Sequence, residues 1–156
     1  MKIVSVNKKV GRNFQLSDKL EAGIVLNGSE IKSVRAKKIH IDDAYAKFLM
    51  SPKQKPELWL VNAHIAKYPR SIGQEFKPDR SRKLLIKSSE IKSLVGTLQT
   101  GKTLIPTKVY LKNNLCKVEL AIARALKKYD KRELIKKRES QRRLRRLLGQ
   151  KQEASQ

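Results

Sequence analysis

The 156-residue sequence contains one cysteine, two histidines and few aromatic residues. A single cysteine cannot form an internal disulfide, which is typical of a reducing, cytoplasmic compartment. A zinc site needs four ligands in clustered pairs, and the spacing of these residues does not provide them. Aromatic residues make up only 5% of the chain, which is little for a protein that binds single strands by stacking bases on rings.

Long apolar runs are also missing. No stretch approaches the ~20 residues of a membrane-spanning helix, and no apolar segment of a secretory signal follows the charged N-terminus. Acidic residues are few, because 14 Asp and Glu stand against 37 Lys and Arg, for a formal net charge of +23. A charge of this size predicts a polyanionic partner, either nucleic acid or an anionic membrane.

Basic residues recur on nearly every segment of the first 123 residues, which predicts one or more phosphate-contacting faces. With so few aromatic residues, recognition of a folded RNA by its shape and backbone is favoured over reading of single bases. The basic residues in question are Lys8, Lys9, Arg12, Lys32, Arg35, Lys37, Lys38, Arg80, Arg82, Lys83, Lys108, Lys112 and Lys117.

Catalytic motifs have little support. Cys116 lies on an alternating strand and is predicted to be a small buried hydrophobe rather than a nucleophile. Gly101-Lys102-Thr103 lacks the upstream glycine of a phosphate-binding loop. Asp42 and Asp43 would point to opposite faces of a strand, so a turn or capping role is favoured over a metal pair. We predict a protein that is not an enzyme and has no cofactor; a nucleic-acid-processing enzyme stays the hypothesis from another class.

Short apolar runs separated by turn signals predict a mainly β first part, a compact barrel or sandwich. Two short helices are expected, one capped by Ser29 and running to about Lys37, the other capped by Ser88 or Ser89 and ending near Gly101. Asn113-Asn114 predicts a hairpin turn. The predicted strands are Phe14–Leu16, Leu20–Leu26, Ile39–Met50, Glu57–Ile65, Lys83–Lys87, Lys108–Leu111 and Cys116–Ala123.

The end of the chain has a different composition. Residues 124–146 hold 12 basic and 3 acidic residues, a net charge of +9, with no glycine or proline. Good helix formers dominate, but the apolar stripe is thin and like charges repel. We expect a segment that is poorly ordered alone and becomes helical against an anion.

Several blocks in a fixed order resemble the small protein B family, the SsrA-binding proteins of bacteria, over about residues 7–139. The blocks are Glu21-Ala22-Gly23-Ile24-Val25-Leu26, Gly28-Ser29-Glu30-Ile31-Lys32-Ser33-Val34-Arg35, Asn62-Ala63-His64-Ile65, Arg82-Lys83-Leu84-Leu85-Ile86, Lys117-Val118-Glu119-Leu120 and Tyr129-Asp130-Lys131-Arg132-Glu133.

The resemblance implies an oligonucleotide-binding (OB) type antiparallel β-barrel with short peripheral helices at residues 1–128. A basic C-terminal tail at residues 129–156, disordered or helical, would follow it. The implied partners are transfer-messenger RNA and the ribosome, and we expect a monomer with no membrane or small-molecule partner. Such a protein holds the tRNA-like part of the RNA and delivers it to stalled ribosomes, while its tail enters the vacant decoding site and mRNA channel.

Carried over by position, the resemblance implies two sets of contact residues. The RNA-holding set is Asn7, Lys8, Phe14, Glu21, Arg35, Leu85 and Lys117. The ribosome-contacting set in the tail is Tyr129, Asp130, Lys131, Arg132, Lys136, Lys137 and Arg138. From the residues alone, Glu21 either accepts a bond from a base, orients a neighbouring cation or forms a structural salt bridge, and Leu85 either meets a base or lies in the core. The alternative function is a basic OB-type ribosomal or ribosome-associated protein that binds ribosomal RNA.

Overall fold

The computed structural model describes residues 1–70 and 75–153. The helices of this part are α1 (Val10–Asn13), α2 (Gly28–Arg35), α3 (Ser88–Leu98) and α4 (Lys128–Glu153). Its strands are β1 (Lys2–Val6), β2 (Phe14–Ile24), β3 (Ile39–His40), β4 (Tyr45–Met50), β5 (Pro56–Val61), β6 (His64–Ile65), β7 (Arg82–Leu85), β8 (Thr103–Lys112) and β9 (Leu115–Ala125).

Seven of these strands form one sheet in the order β1-β8-β4-β5-β7-β2-β9, and β9 also pairs with β8. The neighbours therefore lead from β8 through β4, β5, β7, β2 and β9 back to β8. The pair β3 and β6 forms a separate antiparallel ladder. The mainly β class with short helices is confirmed, and so is a helical C-terminal segment.

Alternation along β9 builds one wall of the main core. Its residues Cys116, Val118, Leu120 and Ile122 all pack into the main buried cluster, as the sequence pattern predicts. Burial raises the pKa of the Cys116 thiol to about 12. A thiol this basic stays protonated at neutral pH, so Cys116 behaves as a core residue.

A smaller apolar cluster lies on the other side of β8 and β9. Val10 of α1 packs there on Ile105 and Ala123, with Phe14 and Leu16 of β2 beside them. Neither β1 nor α1 was predicted from the sequence. The four residues of α1 are too few to show a helical period, and its position depends on side chains far away in the chain.

Both short helices begin earlier than predicted. The backbone N–H of Asn27 donates to Glu30 at 2.9 Å, and that of Lys87 donates to Glu90 at 3.0 Å. In each helix, the carboxylate at the third position thus accepts a hydrogen bond from the backbone N–H of the residue that precedes the helix. The assignment of caps to Ser29 and to Ser88 or Ser89 was wrong, because these serines lie in the first turn.

Two predicted strands are interrupted and two others are fused. A turn at Asp42-Asp43 separates β3 from β4, which is the turn role predicted for this pair. Asn62, with a φ of 59°, separates β5 from β6. Conversely, β2 runs without a break through Asp18. The sequence predicted a break between Leu16 and Leu20 because the residues there are polar. The outer side of an antiparallel sheet accepts polar residues, so they do not interrupt the strand.

Glu30 of α2 forms a cluster of charged side chains with the buried Arg82 and with Arg80, whose side chain is 30% exposed. Nε of Arg82 donates to Glu30 at 3.0 Å, and its Nη atoms donate to the carbonyls of Ala63 and Pro78 at 2.6 and 2.8 Å. Arg80 also donates to Glu30. The Arg82 side chain is 0% exposed. The prediction that Arg82 belongs to a phosphate-contacting face was therefore wrong, because its guanidinium is enclosed and already paired.

A second compact unit begins at Ala125 and contains α4. Leu134, Ile135, Leu144 and Leu147 of this helix are exposed. This helix has 26 residues, and good helix formers dominate it. That the segment is poorly ordered alone and becomes helical against an anion stays a prediction. Within residues 1–70 and 75–153, no helix is long and apolar enough to cross a membrane.

Candidate RNA interface

The hairpin of β8 and β9 carries a row of polar side chains on the side opposite the core. Lys108 lies opposite Glu119, Tyr110 opposite Lys117, and Lys112 opposite Leu115. The turn between the strands is Asn113-Asn114, with φ values of 50° and 62°. These values are those of the turn that suits the twist of a two-residue hairpin, so the predicted hairpin is confirmed.

Glu21 of β2 is the acceptor at the centre of this row. It accepts hydrogen bonds from the Tyr110 hydroxyl and from the Lys117 ammonium. The bonds from Lys117 and Tyr110 lower the pKa of Glu21, while burial and Glu21 raise that of Tyr110 to about 12. Of the roles left open for Glu21, the pair with Lys117 fits two, the orientation of a neighbouring cation and a structural salt bridge.

Leu85 lies on the same side of the neighbouring strand. It is the register partner of Gly23, two residues after Glu21, and 55% of it is exposed. A Cβ at position 23 would come to 3.5 Å from the Cβ of Leu85. Leu85 is thus on the surface rather than in the core. The structure brings Glu21, Leu85 and Lys117 together on three adjacent strands, β9, β2 and β7.

Asn7 and Lys8 follow β1 and differ in exposure. Asn7 is buried, and its Nδ2 donates to the carbonyls of Ile41 and Pro106 at 3.0 and 3.1 Å. Its Oδ1 accepts from the backbone N–H groups of Lys9 and Val10. Lys8 is exposed. Asn7 is therefore placed to fix the loop that presents Lys8, while its own polar atoms are already bonded.

Phe14 and Arg35 lie apart from Glu21. Phe14 begins β2, seven residues before Glu21, which corresponds to about 23 Å of extended strand. Its ring is half-buried in the smaller apolar cluster. Arg35 is the exposed last residue of α2 and lines an open depression with Lys2 and the Asn113-Asn114 turn. Phe14 therefore lies near the open end of the hairpin and Arg35 near its turn.

The predicted tail residues all lie on α4. Asp130 is in the first turn, where a carboxylate suits the helix dipole. The exposed residues of this set are Asp130, Lys131, Arg132, Lys136, Lys137 and Arg138. The side chain of Tyr129 lies outside the described part. At about 3.6 residues per turn, Lys131, Arg132, Lys136, Lys137 and Arg138 are distributed around the helix axis, so the helix presents positive charge on every side.

Tyr110 is a residue that sequence reasoning missed. The residue is buried, with 4% of it exposed. Its hydroxyl nevertheless reaches the outer row and bonds to Glu21. The alternation of β8 contains the signal, because Val109 faces the core and Tyr110 must therefore face away from it.

A mainly β sheet with ordered ammonium groups on its outer side, followed by a strongly basic helix, is the arrangement of a protein that binds a polyanion. The family model described as SmpB protein matches residues 4–150. The chain belongs to this SmpB family.

Curated relatives agree over nearly the whole length. The SsrA-binding protein of Streptococcus thermophilus is 46% identical over 147 residues, which cover 94% of this chain and 92% of the relative. That of Halothermothrix orenii is 41% identical over 153 residues, covering 97% and 96%. A solved structure described as "tmRNA-SmpB: a journey to the center of the bacterial ribosome" matches with a TM-score of 0.64 at 33% identity, covering 84% of this chain and 93% of that chain.

Proposed function

We propose that this protein is an adaptor in ribosome rescue that binds the tRNA-like domain of transfer-messenger RNA and delivers it to stalled ribosomes. The observation that carries the proposal is the placement of Glu21, Leu85 and Lys117 on three adjacent strands of a chain in the SmpB family. Relatives named for SsrA binding and a solved structure described with tmRNA support it. The role is cytoplasmic and involves no catalysis.

In this proposal the outer side of β9, β2 and β7 is the surface that holds the RNA. Lys117 contacts a phosphate and is held in place by its bond to Glu21. Glu21 in turn accepts a hydrogen bond from the Tyr110 hydroxyl. Leu85 offers an exposed apolar contact for a base beside them. Lys8, presented by Asn7, contacts the backbone further along, with Phe14 near it and Arg35 at the opposite end of the hairpin.

We also propose that residues 1–128 form an OB-type barrel. The supporting observation is the closed series of neighbours that returns to β8 through β9. A closed series leaves few unpaired edges and gives a curved outer surface for a folded RNA.

The tail of residues 129–156 has a separate role in this proposal. With the small-subunit decoding site and mRNA channel empty, its basic helix is placed there by contacts with ribosomal RNA phosphates. Lys131, Arg132, Lys136, Lys137 and Arg138 supply these contacts. A channel that already holds mRNA excludes the tail, so the helix tests whether the ribosome has run out of message.

A binding assay tests the proposal. We expect a labelled tRNA-like domain to form a complex that survives a large excess of unrelated structured RNA. Nuclease-treated ribosomes serve as a competitor, because a ribosomal protein of the same composition would bind ribosomal RNA more tightly. Tight binding to ribosomal RNA and none to the tRNA-like domain contradicts the proposal. Reproducible cleavage of labelled RNA by the pure protein would contradict its non-enzymatic part.

A further inference from the structure

A second carboxylate, Glu119, lies on the outer side of the hairpin, two register pairs along from Tyr110 and Lys117. Oε1 of Glu119 is 3.2 Å from Nζ of Lys19, and its Oε2 is 2.9 Å from Nζ of Lys108. Thr107 donates its hydroxyl hydrogen to Oε1 at 2.7 Å. Three donors from two further strands therefore surround one carboxylate.

The electrostatics keep this carboxylate ionised. Partial burial raises the pKa of Glu119, but the hydrogen bond from Thr107 and the ammonium groups of Lys108 and Lys19 outweigh it and lower that pKa to about 2. Glu119 is therefore negatively charged over the whole physiological range. A fixed, charged acceptor holds both lysine side chains in defined positions.

The position of this cluster is what gives it a role. Lys108 is the register partner of Val6, directly before Asn7 and Lys8, and the Asn7 N–H donates to the carbonyl of Thr107 at 2.8 Å. Lys19 lies two residues before Glu21 on β2, so both side chains leave the same side of the strand. The cluster thus lies on the outer surface between the loop that carries Lys8 and the ion pair of Glu21 and Lys117.

Charge counting favours a binding role for this cluster over a merely structural one. A salt bridge needs one cation, whereas Glu119 gathers two and leaves a net charge of +1. Each ammonium has three donors and uses one on Glu119, so donors are left for another acceptor. The side chain of Lys19 is 58% exposed and that of Lys108 is 29% exposed, so both are within reach of a ligand at the surface.

We propose that Lys19 and Lys108, positioned by Glu119, form a phosphate-binding subsite that makes the RNA surface continuous from Lys8 to Lys117. The proposal rests on the proposed function and extends it to residues outside the set carried over from the family. Lys19 and Lys108 touch the RNA backbone. Glu119 and Thr107 act as positioning residues.

The test measures the affinity for a transcript of the tRNA-like domain at several salt concentrations. Lys19→Ala and Lys108→Ala are compared with Lys92→Ala on α3, which removes the same charge from a helix outside this face. Each subsite variant should weaken binding about three- to tenfold near 0.1 M salt and flatten the slope of log affinity against log salt by about 0.7–0.9. Lys92→Ala should change affinity less than about twofold, since it removes no phosphate contact.

Thermal unfolding of each variant checks that it folds. Lys19 is mostly exposed, so Lys19→Ala decides the question if Lys108→Ala is unstable. The inference is overturned when the wild type binds but both subsite variants keep the affinity and slope of Lys92→Ala. In that case the proposed function stands and only the subsite fails. A wild type that does not bind the tRNA-like domain overturns both proposals together.

Discussion

Replacing Glu30 by glutamine removes a buried negative charge while keeping the size of the side chain. Glutamine can still accept the bond from the Asn27 N–H, so the start of α2 is preserved. What is lost is the counter-charge of Arg80 and of Arg82, whose side chain is 0% exposed, and the acceptor for their Nε–H groups. Removing one partner of a buried ion pair typically costs about 3–5 kcal/mol, because it leaves the other charge unpaired.

We expect a loss near the lower end of that range, about 3 kcal/mol. The reason is that Arg82 keeps its bonds to the carbonyls of Ala63 and Pro78. For a chain of this size the melting temperature should fall by about 6–12 °C. Urea unfolding measures the free energy directly, and its slope with denaturant should stay unchanged because the same surface is exposed on unfolding.

The matched control is Glu75→Gln, which removes the same charge from an exposed side chain paired with Lys77. It should change stability by less than about 0.5 kcal/mol. A loss below about 1 kcal/mol for Glu30→Gln would refute the reasoning, because it would mean that the Arg82 guanidinium needs no buried counter-charge.

Three further predictions concern the loop, the hairpin and the tail. Asn7→Ala should cost about 2–4 kcal/mol in urea unfolding, since it removes the four hydrogen bonds of a buried side chain, and it should also weaken RNA binding. Glu119 has a pKa lowered from 4.5 to about 2, so its stabilisation is complete above pH 4.5 and is lost as the pH falls to about 2. Glu119→Gln should therefore lose less stability over that range than the wild type, by on the order of 1–2 kcal/mol after allowance for contact with water. Truncation after Lys128 should keep the affinity for the tRNA-like domain and abolish rescue in a translation assay.

Each of these outcomes has an opposite that would contradict its premise. Full stability of Asn7→Ala would mean that its four hydrogen bonds contribute nothing to the loop. Parallel pH curves for Glu119→Gln and the wild type would place the acid sensitivity in other carboxylates. Equal loss of RNA binding and rescue on truncation would contradict the separate roles proposed for the two parts of the chain.

Much of the fold follows from local patterns. The alternation from Cys116 to Ile122 and the turn at Asn113-Asn114 depend on neighbours in sequence, so they were predicted correctly. The role of Arg82 was not predictable in this way. Its partner Glu30 is 52 residues away, and in sequence it looks like any other basic residue beside Lys83.

The candidate site likewise contains residues that the sequence identifies and residues that only contacts between distant strands reveal. Family resemblance supplied Glu21, Leu85 and Lys117, and the strand pairings place them side by side. Tyr110 and the cluster around Glu119 depend on contacts between β2, β8 and β9. The two partners of Glu21 in these contacts, Tyr110 and Lys117, lie 89 and 96 residues away from it in the sequence. Only the register of the hairpin shows that these side chains share one face.

In the proposed function the RNA lies on the outer side of β9, β2 and β7. Photo-cross-linking tests it most directly, with a cross-linking residue placed at Leu85 in one variant and at Met50 of β4 in another; both positions are exposed and apolar, at 55% and 66%. The proposed interface predicts cross-links from position 85 to the tRNA-like domain and none above background from position 50. Equal cross-linking from both positions, or cross-linking from position 50 alone, would contradict it.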